Sequence, residues 1–184
     1  MSRGRLCVFC GSSLSDPAYR AAAARLGTLI GEGDWELIYG GGRIGLMGIL
    51  ADAAIAAGAR VTGVIPTALH GREVGHPRLS ELILVPDMQE RKREMFARSD
   101  AVAILPGGLG TLDEAFEAIT LKQLGFFEKP VVILDTEGFW QPLTALIEHV
   151  IGAGFARPDA RDLYRIVSRP EDVLPACADA AARG

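Results

Sequence analysis

The sequence predicts a doubly wound α/β fold, a mostly parallel sheet with helices on both faces. Three observations predict it. Seven short apolar runs alternate with stretches of helical periodicity along the whole chain. Three of those runs end in glycine-rich turns, at Cys10-Gly11-Ser12-Ser13, Gly40-Gly41-Gly42 and Pro106-Gly107-Gly108-Leu109-Gly110. The 184 residues show no break in composition or internal repeat, and their length suits one domain, 1–184, with a substantial core.

The elements follow in order. Leu6–Phe9 is a buried strand, and Asp16-Pro17 opens a helix to about Glu32, with Asp16 as N-cap and proline at the first helical position. Trp35–Tyr39 is the second strand, and after its glycine turn a helix runs from about Leu46 to Ala57. Arg60–Ile65, closed by Pro66, is the third strand. The polar stretch from Ala68 to Ser80 is either a connector or a lid. Leu82–Val85 leads into a charged helix from Asp87 to Ser99, and Ala101–Leu105 into the longest glycine turn and a helix beyond Thr111. Pro130–Leu134, a helix from Phe139 to Ile151, a short strand Arg165–Val167 and a last helix near Pro170 to Ala182 complete a Rossmann-like sheet.

In a parallel sheet with right-handed crossovers the three glycine turns emerge on one edge, where such folds bind ligands. A strand, a glycine turn and a helix start aim backbone N–H groups at an anion from the positive end of a helix dipole. Together the turns make a nucleotide or sugar phosphate the default ligand, with Ser12, Gly41 and Gly42 among its contacts. The run Thr111-Leu112-Asp113-Glu114 carries two readings. It has the form of a capping box, in which Glu114 reaches back to the N-cap amide. Alternatively, Glu114 sets a carboxylate beside the anion site for chemistry.

A net charge of −4 gives no electrostatic case for nucleic acid, and no apolar run approaches the roughly 18 to 20 residues of a membrane span. With no leader-like segment before the first strand, a cytoplasmic location is expected. Cys7, Cys10 and Cys177 make no disulfide framework. The Cys7-x-x-Cys10 spacing allows a redox or metal reading, but residues three apart on a strand face opposite ways, which favours small buried thiols. His70, His76 and His149 stand at no ligand spacing, so no metal is expected. The first turn lacks G-x-G-x-x-G and no glycine turn runs into Lys-Ser or Lys-Thr, which argues against NAD and against ATP hydrolysis.

On the charged helix, Met88, Arg91 or Lys92, and Met95 share one face. Either this is a solvated helix whose Glu90 and Glu94 balance three cations, or a guanidinium lies at the ligand rim and needs an anionic partner.

The chain resembles the Lonely Guy proteins, cytokinin riboside 5′-monophosphate phosphoribohydrolases, over nearly its whole length. The resemblance is carried by Val8-Phe9-Cys10-Gly11-Ser12-Ser13, by Tyr39-Gly40-Gly41-Gly42 with Gly45-Leu46-Met47-Gly48, by Met88 with Arg91-Lys92 and Met95, and by Pro106 through Glu114. Asp113 stands where many members have a second glutamate. What it implies is hydrolysis of the N-glycosidic bond of AMP or an N6-substituted AMP, giving free base and ribose 5-phosphate, with no cofactor. The implied catalytic pair is Arg91 and Glu114. The implied substrate-binding residues are Glu73, Met88, Lys92, Gly107, Gly108, Leu109, Gly110, Thr111, Leu112, Asp113 and Thr120. Arg91 is expected to keep Glu114 ionised, and Glu117 to support it from the next turn. Similar proteins are homodimers. Such sequences are also called lysine decarboxylases, yet pyridoxal phosphate needs a Schiff-base lysine, and Lys92, Lys122 and Lys129 sit in no cofactor motif. The alternative from another class is a nucleotide or molybdenum-cofactor carrier of the same fold.

Overall fold

The computed structural model describes residues 3–13, 16–70 and 75–181. Seven strands form one sheet: β1 (Gly4–Phe9), β2 (Trp35–Tyr39), β3 (Val61–Pro66), β4 (Glu81–Val85), β5 (Ala101–Ile104), β6 (Val131–Leu134) and β7 (Arg165–Val167). Their order is β4-β3-β2-β1-β5-β6-β7, and every pairing is parallel. The inner strands β5 and β6, Ala-Val-Ala-Ile and Val-Val-Ile-Leu, are buried along their whole length. Such unbroken apolar runs suit a parallel sheet covered on both faces.

The helices that cover it are α1 (Pro17–Glu32), α2 (Gly45–Ala56), α3 (Thr67–His70), α4 (Met88–Arg98), α5 (Leu109–Gln123), α6 (Gln141–Gly152) and α7 (Val173–Ala181). One core cluster joins α1, α2 and α7 to the sheet through Leu26, Leu50 and Val173. The other joins α4, α5 and α6 through Met95, Ala118 and Leu143. The doubly wound α/β reading is therefore borne out. Cys7 and Cys10 fall into the two different clusters, as strand alternation requires, and both are buried free thiols.

Local chemistry sets the helix starts. The Asp16 side chain accepts from the Ala18 amide at 2.9 Å ahead of Pro17, and the Asp87 side chain accepts from the Glu90 amide at 2.8 Å. In the polar connector, α3 occupies four residues and Gly75 forms an isolated antiparallel bridge with Gly42. Glu73 lies outside the described residues. Beyond β6, the helix expected from Phe139 begins at Gln141, after a 3₁₀ turn at Thr136–Gly138.

One helix start differs in a way that matters. The helix expected beyond Thr111 begins at Leu109, with Gly108 as its N-cap and no capping side chain. Thr111 is thus the third helical residue, and Glu114 lies a turn further along. The capping box is not formed, because its two members both sit inside the helix. Glu114 needs another account.

Candidate active site

The strand order reverses at β1, which has β2 on one side and β5 on the other. Loops leaving β1 and β5 therefore diverge and open a crevice at the carboxyl edge, the usual ligand position in this fold class. Short backbone bonds hold its two walls. The Leu105 amide donates to Phe9 O at 2.9 Å, the Gly11 amide to Pro106 O at 3.0 Å, and the Leu46 amide to Gly11 O at 3.0 Å. A Cβ at Gly107 would run into the Thr111 side chain and lie 2.9 Å from the Gly11 nitrogen, so only glycine lets the turns approach this closely.

A cavity of about 460 Å³ occupies the crevice. From the β1 loop it takes Cys10, Gly11, Ser12 and Ser13; from the β5 loop, Pro106, Gly107 and Gly108; and from α5, Leu109, Gly110, Thr111 and Glu114. Met88 and Arg91 reach it from α4. With no side chain capping α5, its first-turn amides remain available to an anion at the positive end of a 15-residue helix.

Arg91 is only 6% exposed. Its Nε donates to Val64 O at 3.0 Å and its Nη2 to Gly40 O at 2.7 Å. The ends of β3 and β2 thus fix the guanidinium from behind. A Cβ on Gly40 would overlap Nη2, so this glycine makes room for the arginine. Glu114 is 8% exposed, and burial pushes its carboxyl up to about 7; Arg91 and Lys92 pull it down, while Asp113 and Glu117 push it up. Arg91 acts in the expected direction, but desolvation outweighs it. A group poised near neutrality can exist in either protonation state at working pH.

Other expected contacts lie elsewhere. Gly41 and Gly42 do not line the cavity; Gly41 O accepts the His76 amide at 3.1 Å, and Gly42 is the residue bridged to Gly75. Two glycine turns, not three, wall the site, while the third backs Arg91. Lys92 turns toward α5, its Nζ 2.9 Å from Asp113 Oδ2 and paired also with Glu117. Leu112 packs on the core, and Asp113 and Thr120 are exposed on α5; none of the three lines the cavity. Conversely, the cavity includes Tyr19, Leu46, Met47, Leu69 and Phe139, which sequence reasoning did not assign to the site, although Leu46 and Met47 belong to a motif that carries the resemblance. Tyr19 and Phe139 meet edge to face at 5.6 Å between centroids. The only available signal was that Leu46 and Met47 open a helix directly after a glycine turn; aromatic side chains in or before helices read as core. Cys10 reaches the cavity as a thiol that burial pushes far above its ordinary range, so it is no nucleophile at neutral pH.

A family model described as "Possible lysine decarboxylase" matches residues 47–177. Pyridoxal phosphate would require a lysine in the cavity, and none of the three lines it. Lys92 is held by carboxylates, Lys122 Nζ donates to Lys129 O at 3.0 Å and Lys129 Nζ to Phe96 O at 2.7 Å. The site does not fit that cofactor. Among curated proteins, the chain is 46% identical to the cytokinin riboside 5′-monophosphate phosphoribohydrolase LOG1 of Arabidopsis thaliana, over 93% of this chain and 84% of that protein. It is 45% identical to the probable phosphoribohydrolase LOGL1 of Oryza sativa subsp. japonica, over 91% of this chain and 74% of that protein. Among solved structures, the molybdenum cofactor binding protein of Rippkaea orientalis superposes with a TM-score of 0.75 at 22% identity, covering 97% of this chain and 98% of that one. The Moco carrier protein of Chlamydomonas reinhardtii gives 0.73 at 21% identity, covering 98% of both chains. At that identity the structural likeness extends to the fold alone, whereas the sequence likeness spans fold and site together. The chain belongs to the Lonely Guy family.

Proposed function

We propose that this protein hydrolyses the N-glycosidic bond of AMP or an N6-substituted AMP, a cytokinin riboside 5′-monophosphate, to free base and ribose 5-phosphate. The observation that carries the reading is one cavity holding a buried carboxylate, Glu114, a buried guanidinium, Arg91, and the uncapped start of α5. The names of the plant relatives support the same reaction.

The roles follow from charge. The 5′-phosphate sits on the amides of Gly107, Gly108, Leu109, Gly110 and Thr111, with Ser12 on the opposite wall. Bond cleavage moves the glycosidic electron pair to the base and leaves positive charge on C1′ and the ring oxygen. The ionised Glu114 stabilises that charge and accepts a proton from a water whose oxygen bonds C1′, while the departing base takes up a proton from solvent, so the net change is one water added across the bond. Arg91, held rigid by two carbonyls, contacts the substrate and tempers the carboxylate. Glu73 and Thr120 retain the substrate-binding roles that the family resemblance implies.

We take residues 1–184 as one nucleotide-binding hydrolase domain acting as a cytoplasmic homodimer. Three free thiols favour a reducing compartment. No helix among the described residues is long and apolar enough to cross a membrane. Leu109, Phe116 and Leu124 leave an apolar stripe exposed along and just past α5, and Thr120 lies on that stripe, where a second copy would cover it. The test is incubation with AMP, N6-isopentenyl-AMP and adenosine. Free base from the monophosphates and much less from the nucleoside supports the reading. Tight nucleotide binding without base release would instead indicate a carrier.

A further inference from the structure

Two neighbouring cations on α4 are nearly inaccessible, Arg91 at 6% and Lys92 at 4% exposure, yet only Arg91 lines the cavity. Lys92 Nζ lies 2.9 Å from Asp113 Oδ2 and pairs also with Glu117. Those two carboxylates bracket Glu114, one immediately before it and one a turn after it. We propose that Lys92 is a positioning residue: it neutralises Asp113 and Glu117 so that Glu114 can ionise, and it clamps α5 to α4 so that Glu114 and Arg91 share the cavity. This rests on the reading of Glu114 as the working carboxylate.

The physical argument is one of charge balance in a poorly solvated place. Among the described residues, the charges that act on Glu114 are Arg91 and Lys92 from α4 and Asp113 and Glu117 from α5, and Glu114 in turn acts on the thiols of Cys7, within β1, and Cys10, just past it. Burial holds both thiols neutral, so they contribute no charge at working pH. Of the rest, the two anions disfavour ionisation and the two cations favour it. Arg91 is committed to backbone carbonyls as well as to the cavity, whereas Lys92 is committed to the anions. Burial alone would lower the Lys92 ammonium, but its hydrogen bonds to Glu117 and Asp113 hold it raised, so it stays charged. Removing that charge would leave a buried carboxyl between two unneutralised carboxylates.

Two readouts test this. One is the Glu114 carboxyl titration by ¹³C NMR, assigned with Glu114→Gln; the other is the pH profile of base release, with KM for AMP. Lys92→Met should raise the titration midpoint and the acid limb together by about one pH unit, the scale of a lost neighbouring charge. The acid limb should move more than KM, because Lys92 does not line the cavity and acts on Glu114 through its charge. Lys92→Arg should restore the wild-type profile, and Glu117→Gln in the Lys92→Met background should bring the midpoint back down. If Lys92→Met fails to fold, the single substitutions Asp113→Asn and Glu117→Gln must each lower the midpoint. A midpoint that none of these variants moves, or a Lys92→Met whose only effect is a KM raised about tenfold, the scale of one lost contact, would overturn the proposal. Should the midpoint move while the wild type releases no base, the charge relay stands and the hydrolase reading falls.

Discussion

At Glu114, burial and charge pull in opposite directions, and the balance leaves the carboxyl poised at about 7. If the ionised form does the work, base release should climb as pH rises through 7 and then level off; a profile flat from pH 5 to 8 would remove Glu114 from that role. Stability should run the other way. The folded value lies above the ordinary 4.5, so the fold prefers the protonated acid. That preference is fully present below 4.5 and is lost as pH rises toward 7. Above 7 the native state carries a cost on the order of 3 kcal/mol, the free-energy equivalent of the shift. Glu114→Gln is always neutral, so it should melt higher than wild type at pH 8 and about level with it at pH 4. Its base release should fall by roughly 100-fold or more, the usual scale for a positioned acid–base group. The residue types at positions 91 and 114 were legible in the sequence, but the protonation balance was not, because it depends on what excludes water from the carboxyl.

Among the elements, the β5–α5 junction decides the most. Gly107→Ala would press a methyl group into Thr111 and the Gly11 amide. The expected result is a widened crevice with weaker AMP binding, measured as a raised KM, together with a lower melting temperature. Gly40→Ala acts at a distance from the cavity by displacing the Arg91 guanidinium. It should therefore reproduce the activity loss of Arg91→Ala, and normal turnover by Gly40→Ala would show that Arg91 does not need its carbonyl partner. Seven strands and the main helices were legible as apolar runs and helical periodicity. The start of α5 was not, since Gly107, Gly108 and Gly110 have poor helix propensity while Thr111 and Glu114 mimic a cap. What extends the helix back to Leu109 is the anchoring of the turn to β1 through Pro106 O.

For the whole molecule, the exposed stripe of Leu109, Phe116 and Leu124 together with Phe126 is the test of assembly. Light scattering at micromolar concentration should return about twice the chain mass of 19.6 kDa. Phe116→Glu should shift the mass toward one chain and lower activity with it, if Thr120 serves a neighbouring site. A wild-type protein that runs as one chain would refute the dimer. The likeness to molybdenum cofactor proteins at 21–22% identity bears on the same scale. That likeness extends to the fold alone, and a fold does not fix the use made of it.

Local pattern by itself determined the alternation of strands and helices, the three glycine turns, the separation of Cys7 from Cys10 and the presence of a cation on the methionine face of α4. Those features rest on periods of 2 and 3.6 residues and on backbone chemistry, which act within a few residues. Only the tertiary structure decided the strand order, and with it which turns meet. It put the β1 and β5 loops into the cavity, left the β2 loop behind Arg91, brought in Tyr19 and Phe139, and gave Lys92 to Asp113 and Glu117. The reason is physical: periodicity marks which face of an element is buried, but the partner on the other side of that face is chosen by packing across residues far apart in the chain.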